Sequence, residues 1–245
     1  MNLIIPQGMG HSGLKAAFTT RSGGVSEHPF DSLNLGLSTN DSPENVIENR
    51  QRVATELGFH VDSLAIAGQI HGSQVLLVRE GGLFAGYDGL VTDRRNVLLC
   101  ISAADCAAVL LWDPKNGVLG ACHAGWRGAV GGVIGNTIET MNSCGADADR
   151  MHAYVSPCLG VDNFEVGEEV AAQFPSDWVA RRSEWPKPHV DLSGYIRQQL
   201  THKGISDRQV EVSDRCSMGE MDIFFSHRGE KGITGRMMGM IGRTE

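Results

Sequence analysis

Residues 103–128 read AADCAAVLLWDPKNGVLGACHAGWRG, and the rest of the chain is best interpreted outward from them. Cys106 precedes an apolar run at 107–112, a turn-forming segment follows at 113–117, and a second apolar run at 118–122 leads to His123. Two strands joined by a turn would bring Cys106 and His123 to similar depths in one sheet. A cysteine beside a histidine indicates a metal site, a nucleophile with its base, or two packed core residues.

Strand-like and helix-like segments are interspersed along the chain. Apolar runs predict strands at 14–20, 97–101, 107–112, 118–122 and 151–156, and FFS (224–226) is predicted to be a strand whose end carries His227 and Arg228. A capping serine and Pro43 predict a helix that Gly58 ends. Further helices are predicted from residue 129 and over 191–204, and residues 175–190 are expected to form an irregular surface stretch.

Composition and charge exclude several classes of protein. The chain has 245 residues, 41% of them hydrophobic, and a net charge of −8, whereas a duplex-binding protein usually has a basic face. We therefore expect no nucleic-acid partner. No apolar run reaches the roughly 18 residues of a membrane span, and the first ten residues lack the basic start of a signal peptide. The six cysteines form no CxxC pair. These features predict reduced thiols, a cytoplasmic location and no membrane partner.

His71 extends the Cys106–His123 pair to three possible metal ligands. Each of the three lies at the edge of an apolar run, beside a small residue or a turn. Their wide spacing differs from that of a structural zinc motif, but a catalytic zinc uses three such ligands and leaves a fourth position open. Two alternatives stay open: a thiolate nucleophile activated by His123 without metal, and a cysteine that is only a small buried hydrophobe.

The turn after His123 offers a possible anion site. GWRG (125–128) precedes the predicted helix, and free N–H groups at a helix N-terminus favour negative charge. Arg127 adds a full positive charge.

Several motifs together resemble the laccase-domain family, whose members are described as multicopper polyphenol oxidases. In chain order they are TTRSGGVS (19–26), SLNLG (32–36), QIHG (69–72), DGLVT (88–92), ADC (104–106), HAGWRG (123–128), FEVG (164–167), FFSHR (224–228) and TGR (234–236). The resemblance implies one α+β domain over residues 1–245, with mixed β-sheets flanked by helices in a cysteine-hydrolase-like laccase-domain fold. It also implies a zinc ion bound by His71, Cys106 and His123.

The activity implied by the resemblance is the phosphorolysis of adenosine, inosine, guanosine and S-methyl-5'-thioadenosine, with deamination of adenosine to inosine. Purine nucleosides and phosphate would be the small-molecule partners. Guanidinium groups match phosphate oxygens in a bidentate way, so the candidate phosphate ligands are Arg21, Arg50, Arg127 and Arg228. Asn34 is a candidate for hydrogen bonds to ribose or base.

Two carboxylates, Asp88 and Asp105, are the candidates for carrying protons beside Cys106 and His123. A copper oxidase activity is poorly supported by the residues, because a multicopper site needs paired histidine motifs and this chain has no HxH pair. Copper could still occupy a His/Cys/His site in vitro, since copper binds more tightly than zinc in the usual order. The same residues are also compatible with a cysteine hydrolase that uses Cys106 and His123, and with a non-catalytic binding protein.

Overall fold

Two six-stranded sheets lie face to face at the centre of the molecule, and helices cover the outer side of each. The computed structural model describes residues 1–7 and 13–244. The strands are β1 (Leu3–Ile4), β2 (Leu14–Thr19), β3 (Leu64–Gly68), β4 (Val75–Leu77), β5 (Gly82–Ala85), β6 (Gly89–Thr92), β7 (Leu98–Ala103), β8 (Ala107–Trp112), β9 (Leu119–Ala124), β10 (His152–Val155), β11 (Val179–Ala180), β12 (His189–Val190), β13 (Val210–Val212) and β14 (Met237–Arg243). The α-helices are α1 (Pro43–Glu56), α2 (Trp126–Val130), α3 (Val133–Ser143), α4 (Glu168–Ala171) and α5 (Leu192–His202).

Both large sheets are mixed. The first has the order β1-β2-β14-β7-β3-β5, and the second has the order β13-β10-β8-β9-β6-β4. In the first sheet β3 runs parallel to β5 and β7 while the other neighbours are antiparallel. In the second sheet the edge strands β13 and β4 are parallel to their neighbours and the inner pairs are antiparallel. The fold is therefore a single α+β domain with mixed sheets, as expected.

The core is divided into three apolar layers. The inner faces of the two sheets enclose one layer, which includes Phe18 and Trp112. A second layer lies between the second sheet and the helices α3 and α5, and a third lies between the first sheet and α1. Strands β8 and β9 are buried along their whole length. Burial on both faces explains why their sequences are continuous apolar runs without alternation.

Local signals predicted several elements well. Helix α1 begins at Pro43, directly after Ser42, and ends at Glu56, two residues before Gly58, whose φ is 81°. The Ser42 hydroxyl makes no capping hydrogen bond, because it donates to the Glu44 carboxylate. The first residue past the helix that takes a left-handed conformation is thus a glycine, as is common. Asp191 caps α5 through a hydrogen bond from the Gly194 N–H to its carboxylate. No helix in the described part of the chain is long and apolar enough to cross a membrane.

The helix predicted from residue 129 is wrong in its bounds. Two helices occupy this region, because Gly132 takes a left-handed φ of 87° and separates α2 from α3. The GWRG turn therefore opens the five-residue helix α2, and the long helix begins later.

Two further predictions are wrong. FFS is not a strand: Phe224 and Phe225 are fully buried, but their N–H groups donate to the Glu220 carbonyl and the Met237 sulfur, so the segment is a buried turn. Residues 175–190 are not merely irregular surface, because β11 pairs with β12 there and His189 is buried against Trp185. Strand β14, which the sequence patterns did not predict, lies between β2 and β7 in the first sheet.

Candidate functional site

Three side chains with metal-binding atoms meet where the chain passes between the two sheets. His71 follows β3, Cys106 immediately precedes β8, and His123 lies on β9. The register of the β8–β9 hairpin places Ala108 opposite His123, so Cys106 lies beside it at the end of the pair. The ligand atoms of the three residues all lie within 4.8 Å of one another, and the two imidazole centroids are 4.8 Å apart.

Asp88 holds both histidines in position. Its carboxylate is fully buried, lies 2.8 Å from His123 Nδ1, and accepts hydrogen bonds from the N–H groups of Ile70, His71 and Gly72 at 2.7–3.0 Å. Burial by itself would raise the pKa of Asp88, but the His123 ring and these N–H groups lower it, so the carboxylate is ionised. A carboxylate only accepts, so His123 Nδ1 carries a proton. Burial would lower the pKa of His123, but Cys106 and Asp88 raise it to about 9, so Nε2 becomes a metal-binding atom when its own proton leaves.

The thiol of Cys106 is activated by the two histidines. Burial by itself would raise its pKa, but His123 and His71 lower it to about 6. Cys106 is therefore a thiolate near neutral pH, which is the form that binds metals and attacks electrophiles.

The backbone around the three side chains has two unusual conformations and one close approach. His71 has a φ of 60° and Asp105, directly before Cys106, has a φ of 87°. Both values are uncommon for residues other than glycine and often mark functional sites. At Gly125 a Cβ atom would lie 2.8 Å from Cys106 Sγ and 3.2 Å from His71 Nδ1, so only glycine fits against the three side chains.

A cavity of about 710 Å³ opens on this cluster. His71, Cys106 and His123 line it together with two aromatic side chains, Trp126 and Phe164. Four arginines also line it: Arg50, Arg127, Arg228 and Arg236. Its volume is in the range of sites that enclose a small organic ligand.

The two carboxylates predicted to carry protons differ in their position relative to the cavity. Asp105 lines the cavity and accepts hydrogen bonds from the hydroxyls of Ser217 and Ser226 and from the Arg228 N–H. It thereby fixes the loop that carries Arg228. Asp88 lies behind His123 and is not among the residues that line the cavity.

Two predicted substrate ligands lie outside the cavity lining. Arg21 lies 3.3 Å from Glu230 and donates to the Asp31 and Met221 carbonyls. Asn34 is fully buried, and its amide contacts Gly36, Thr39, Asp41 and the Arg236 N–H. Both side chains are thus occupied within the protein. The partners of Arg21 and Asn34 are distant along the chain or lie within a loop, so the sequence motifs did not reveal these contacts.

The cavity also contains residues that sequence reasoning missed. Arg236 lines it at the start of β14, and its only signal was its place in the TGR motif. Gln69 lines it next to Ser102, and the Gln69 amide exchanges two hydrogen bonds with the Ser102 backbone at 2.8 and 2.9 Å. Gln69 therefore ties the QIHG loop to β7.

The donor set suits a transition metal. Two imidazoles and a thiolate are ligands of zinc and copper sites, and ligands held tetrahedrally at 2.0–2.3 Å lie roughly 3–4 Å apart. The observed separations of up to 4.8 Å need only small side-chain rotations to reach this geometry. All three possible ligands also line the cavity. No other group of three such donors is found in residues 1–7 and 13–244.

Known proteins resemble this chain over nearly its whole length. A purine nucleoside phosphorylase of Deinococcus radiodurans is 46% identical over 230 residues, which cover 92% of this chain and 88% of that protein. The crystal structure of YlmD from Geobacillus stearothermophilus superposes with a TM-score of 0.93 at 31% identity and covers 100% of this chain and 97% of its own. A hypothetical protein YfiH of Bacillus licheniformis superposes with a TM-score of 0.91 at 31% identity, covering 99% of this chain and 96% of its own.

The family profile described as "Multi-copper polyphenol oxidoreductase laccase" matches residues 15–244. This span contains the possible metal ligands, the arginines of the cavity, and all of the two large sheets except β1 and the first residue of β2. The chain therefore belongs to this laccase-domain family.

Proposed function

We propose that this protein is a zinc-dependent purine nucleoside phosphorylase that also deaminates adenosine. Its substrates would be adenosine, inosine, guanosine and S-methyl-5'-thioadenosine, each with inorganic phosphate. One observation carries the proposal: His71, Cys106 and His123 open onto a cavity that arginines also line. The relatives named purine nucleoside phosphorylases support it. The six free cysteines fit a cytoplasmic location.

The residues of the cavity match the needs of phosphorolysis. A phosphate oxygen attacks C1' of the ribose, the bond from C1' to the purine nitrogen breaks, and the base leaves with the bonding electrons. Arg50, Arg127 and Arg228 line the cavity and offer charge to the anionic reactant. Trp126 and Phe164 offer aromatic faces for the base. Zinc held by the three ligands would supply Lewis-acid stabilisation of developing negative charge.

Proton transfer is assigned to the carboxylate that lines the cavity. Asp105 is that residue, and the two serine hydroxyls fix its orientation at 2.7 Å. Asp88 would act as a positioning residue for His123 and the QIHG loop.

The test is product analysis with matched cysteine variants. We expect wild-type protein to convert inosine to hypoxanthine and ribose 1-phosphate only when phosphate is present. Cys106→Ala should retain less than about 1% of this rate and lose bound metal. Cys144→Ala, which removes a thiol outside the site, should retain both. Equal rates with and without phosphate would refute phosphorolysis, and full activity of metal-free protein would refute the role of zinc.

A cysteine hydrolase is the second candidate, and one observation favours it. Cys106, His123 and Asp88 form a thiolate–imidazole–carboxylate series, in which Asp88 lies 2.8 Å from His123 Nδ1. Such an enzyme would hydrolyse its substrate without metal and would form an acyl-enzyme at Cys106. Mass spectrometry of acid-quenched reactions distinguishes it from the metal-dependent enzyme, because only the hydrolase gives a covalent adduct.

A polyphenol oxidase activity is less well supported. A multicopper oxidase needs a second cluster of histidines, and the described residues contain one three-donor group. Oxygen consumption with a phenolic substrate and added copper checks this point. We expect no turnover above that of free copper.

A further inference from the structure

Two arginines that line the cavity form no ion pair with any residue that the structure describes. Arg50 projects from α1 and Arg236 precedes β14, and both side chains are half-buried. Among the described residues no carboxylate lies within ion-pair distance of either guanidinium, whereas Arg21 lies 3.3 Å from Glu230. Burial lowers the pKa of both arginines. Asp105 and the Cys106 thiolate raise the pKa of Arg236 against the effect of burial, but only from beyond ion-pair distance. A half-buried guanidinium without a directly paired anion is costly, which indicates a negatively charged ligand.

The hydrogen bonds of each guanidinium leave one two-nitrogen edge unused. Arg50 donates through Nε to the Leu35 carbonyl at 2.9 Å, which leaves Nη1 and Nη2. Arg236 donates through Nη1 to the Thr234 and Gly235 carbonyls at 2.9 Å, which leaves Nε and Nη2. A pair of adjacent N–H donors is the edge that binds two oxygens of a phosphate.

A single loop contacts both arginines. The Leu35 carbonyl accepts from Arg50, and the Leu35 N–H donates to the Arg236 carbonyl at 3.0 Å. Asn34 accepts from the Arg236 N–H at 2.8 Å, and Gly36 packs so closely that a Cβ atom there would lie 2.5 Å from Arg236 Cγ. Loop, helix and strand therefore fix the two guanidinium groups relative to each other before any ligand binds.

The same loop contributes further donors to the cavity. Leu37 and Ser38 line the cavity, and within residues 1–7 and 13–244 their N–H groups and the Ser38 hydroxyl have no hydrogen-bond partner. They add neutral donors beside the two charged edges. The other cavity arginines differ, since Arg127 lies over the Trp126 ring and Arg228 donates to the Glu165 carbonyl.

We propose that Arg50 and Arg236 form a binding subsite for inorganic phosphate on the cavity wall. The inference rests on the proposed phosphorolysis, in which phosphate is the second substrate. The two positive charges offset a phosphate dianion, while the metal ligands and aromatic rings of the same cavity are left for the nucleoside. This assignment separates the two substrates: Arg50 and Arg236 would bind the phosphate itself, while Arg127 and Arg228 add positive charge elsewhere in the same cavity.

The experiment measures phosphate binding and phosphate kinetics separately. Calorimetric titration of the full-length protein with inorganic phosphate, alone and with inosine present, gives Kd. Steady-state rates with inosine give KM for each substrate. The variants are Arg50→Gln and Arg236→Gln, and Arg208→Gln is the matched control because Arg208 is exposed and does not line the cavity. Arg50→Lys and Arg236→Lys keep the charge but lose the paired edge.

We expect each cavity variant to weaken phosphate binding and raise KM for phosphate by about 10- to 100-fold, with KM for inosine changed less than about threefold. Arg208→Gln should stay within about twofold of wild type. The subsite would be overturned if the cavity variants bind phosphate like wild type, or if wild-type protein binds no phosphate with or without inosine. An equal loss of phosphate binding in Arg208→Gln would overturn it as well. If a Gln variant does not fold, as judged by thermal melting, the Lys variant at that position is measured against the same limits.

The outcomes separate the subsite from the proposed function. Wild-type protein that binds phosphate through both arginines but releases no base would keep the subsite and refute the phosphorylase. Phosphorolysis with an unchanged KM for phosphate in both variants would keep the phosphorylase and refute the subsite.

Discussion

Asp88 is the residue on which the geometry of the candidate metal centre depends most. Its two oxygens take hydrogen bonds from three successive backbone N–H groups and contact the His123 ring, so one carboxylate positions two of the three ligands. The left-handed φ of His71 is part of the same arrangement, since the backbone must curl around Asp88. Carboxylates that contact metal-binding histidines in this way usually tune both the orientation and the basicity of the imidazole.

Replacing Asp88 with asparagine should loosen the centre while leaving most of the fold intact. An amide offers one acceptor oxygen, so at least one of the partly buried N–H groups loses its partner. We expect metal affinity to fall about 10- to 100-fold and the free energy of unfolding to fall by about 1–3 kcal/mol. Metal retained during dialysis against graded chelator measures the first effect. Asp214→Asn, at an exposed acid, is the control, and wild-type metal affinity in Asp88→Asn would show that the carboxylate is dispensable.

A substitution at Gly125 should impair metal binding without unfolding the protein. In Gly125→Ala the new methyl group would lie 2.8 Å from Cys106 Sγ, so the thiolate must move away from the histidines. We expect a folded protein with little bound metal. Gly132→Ala is the matched control because nothing lies within 4 Å of its Cβ, although its φ is 87°. That control should lose about 1 kcal/mol of stability and keep its metal. Equal metal content in the two variants would contradict the predicted clash.

At the scale of elements, the β8–β9 hairpin is held by a buried acid at its turn. Asp113 is fully buried and accepts from the N–H groups of Lys115, Asn116 and Asp147 and from Arg150 Nη2 at 2.9–3.3 Å. Burial alone would raise the pKa of Asp113, but Arg150 and the N–H groups lower it. The hairpin carries His123 on β9 and follows Cys106, so this turn supports the site from the opposite end of the strands.

The low pKa of Asp113 predicts a specific pH dependence of stability. A carboxyl group with a depressed folded-state pKa stabilises the protein above its unfolded pKa of about 3.9, and this contribution is lost as the pH falls through the folded value. We expect Asp113→Asn to lower the free energy of unfolding by about 2–3 kcal/mol at pH 7. The difference from wild type should shrink below about pH 4.

Urea unfolding at several pH values measures this difference. Asp147→Asn is the control: its carboxylate lies 2.7 Å from Arg150 Nη1 but is half-exposed, so the loss should stay below about 1 kcal/mol. A difference for Asp113→Asn that is the same at pH 3 and pH 7 would exclude the ionised form as its source.

Elements with strong local signals could be predicted from the sequence, and those defined by distant partners could not. The apolar runs of β8 and β9 and the Ser-Pro start of α1 are local signals. The FFS segment has the same buried apolar character as a strand, yet its N–H groups find partners in a turn and a methionine sulfur. Strand β14 contains two glycines, and its ladder is completed by β2 and β7, which are far away in sequence.

In the candidate site, too, some residues could be predicted from the sequence and others could not. His71, Cys106 and His123 could be identified because their motifs carry the family resemblance. Arg21 and Asn34 belong to similar motifs but are engaged inside the protein, and nothing local distinguishes them. Arg236 was missed because its position depends on Leu35, about two hundred residues earlier in the chain.

For the whole molecule, the site depends on the spacing of the two sheets. Strand β7 belongs to the first sheet and β8 to the second, so the chain crosses between them at 104–106, and Cys106 is the last residue of that crossing. His71 follows a strand of the first sheet, whereas His123 lies on a strand of the second. The relative positions of the three ligands therefore depend on the distance between the sheets as well as on local structure.

Gly239 on β14 and Ala108 on β8 are the pair that tests this dependence. A Cβ atom at Gly239 would lie 2.5 Å from the Ala108 Cβ, and neither atom can rotate away because both are fixed to sheet backbone. Gly239→Ala should therefore force the sheets apart locally and lower the free energy of unfolding by about 1–3 kcal/mol. It should also weaken metal binding, because Ala108 is two residues from Cys106.

The double variant Gly239→Ala with Ala108→Gly removes the clash by taking away the opposing methyl group. Ala108→Gly alone should cost about 1 kcal/mol from backbone entropy and lost packing. If the sheets meet at this pair, the double variant should be more stable than the sum of the two single changes predicts by at least about 1 kcal/mol, and its metal affinity should recover. Urea unfolding of all four proteins gives this coupling. Changes that add within about 0.5 kcal/mol would mean that the sheets accommodate the extra methyl independently, and the metal centre would then not depend on their separation at this point.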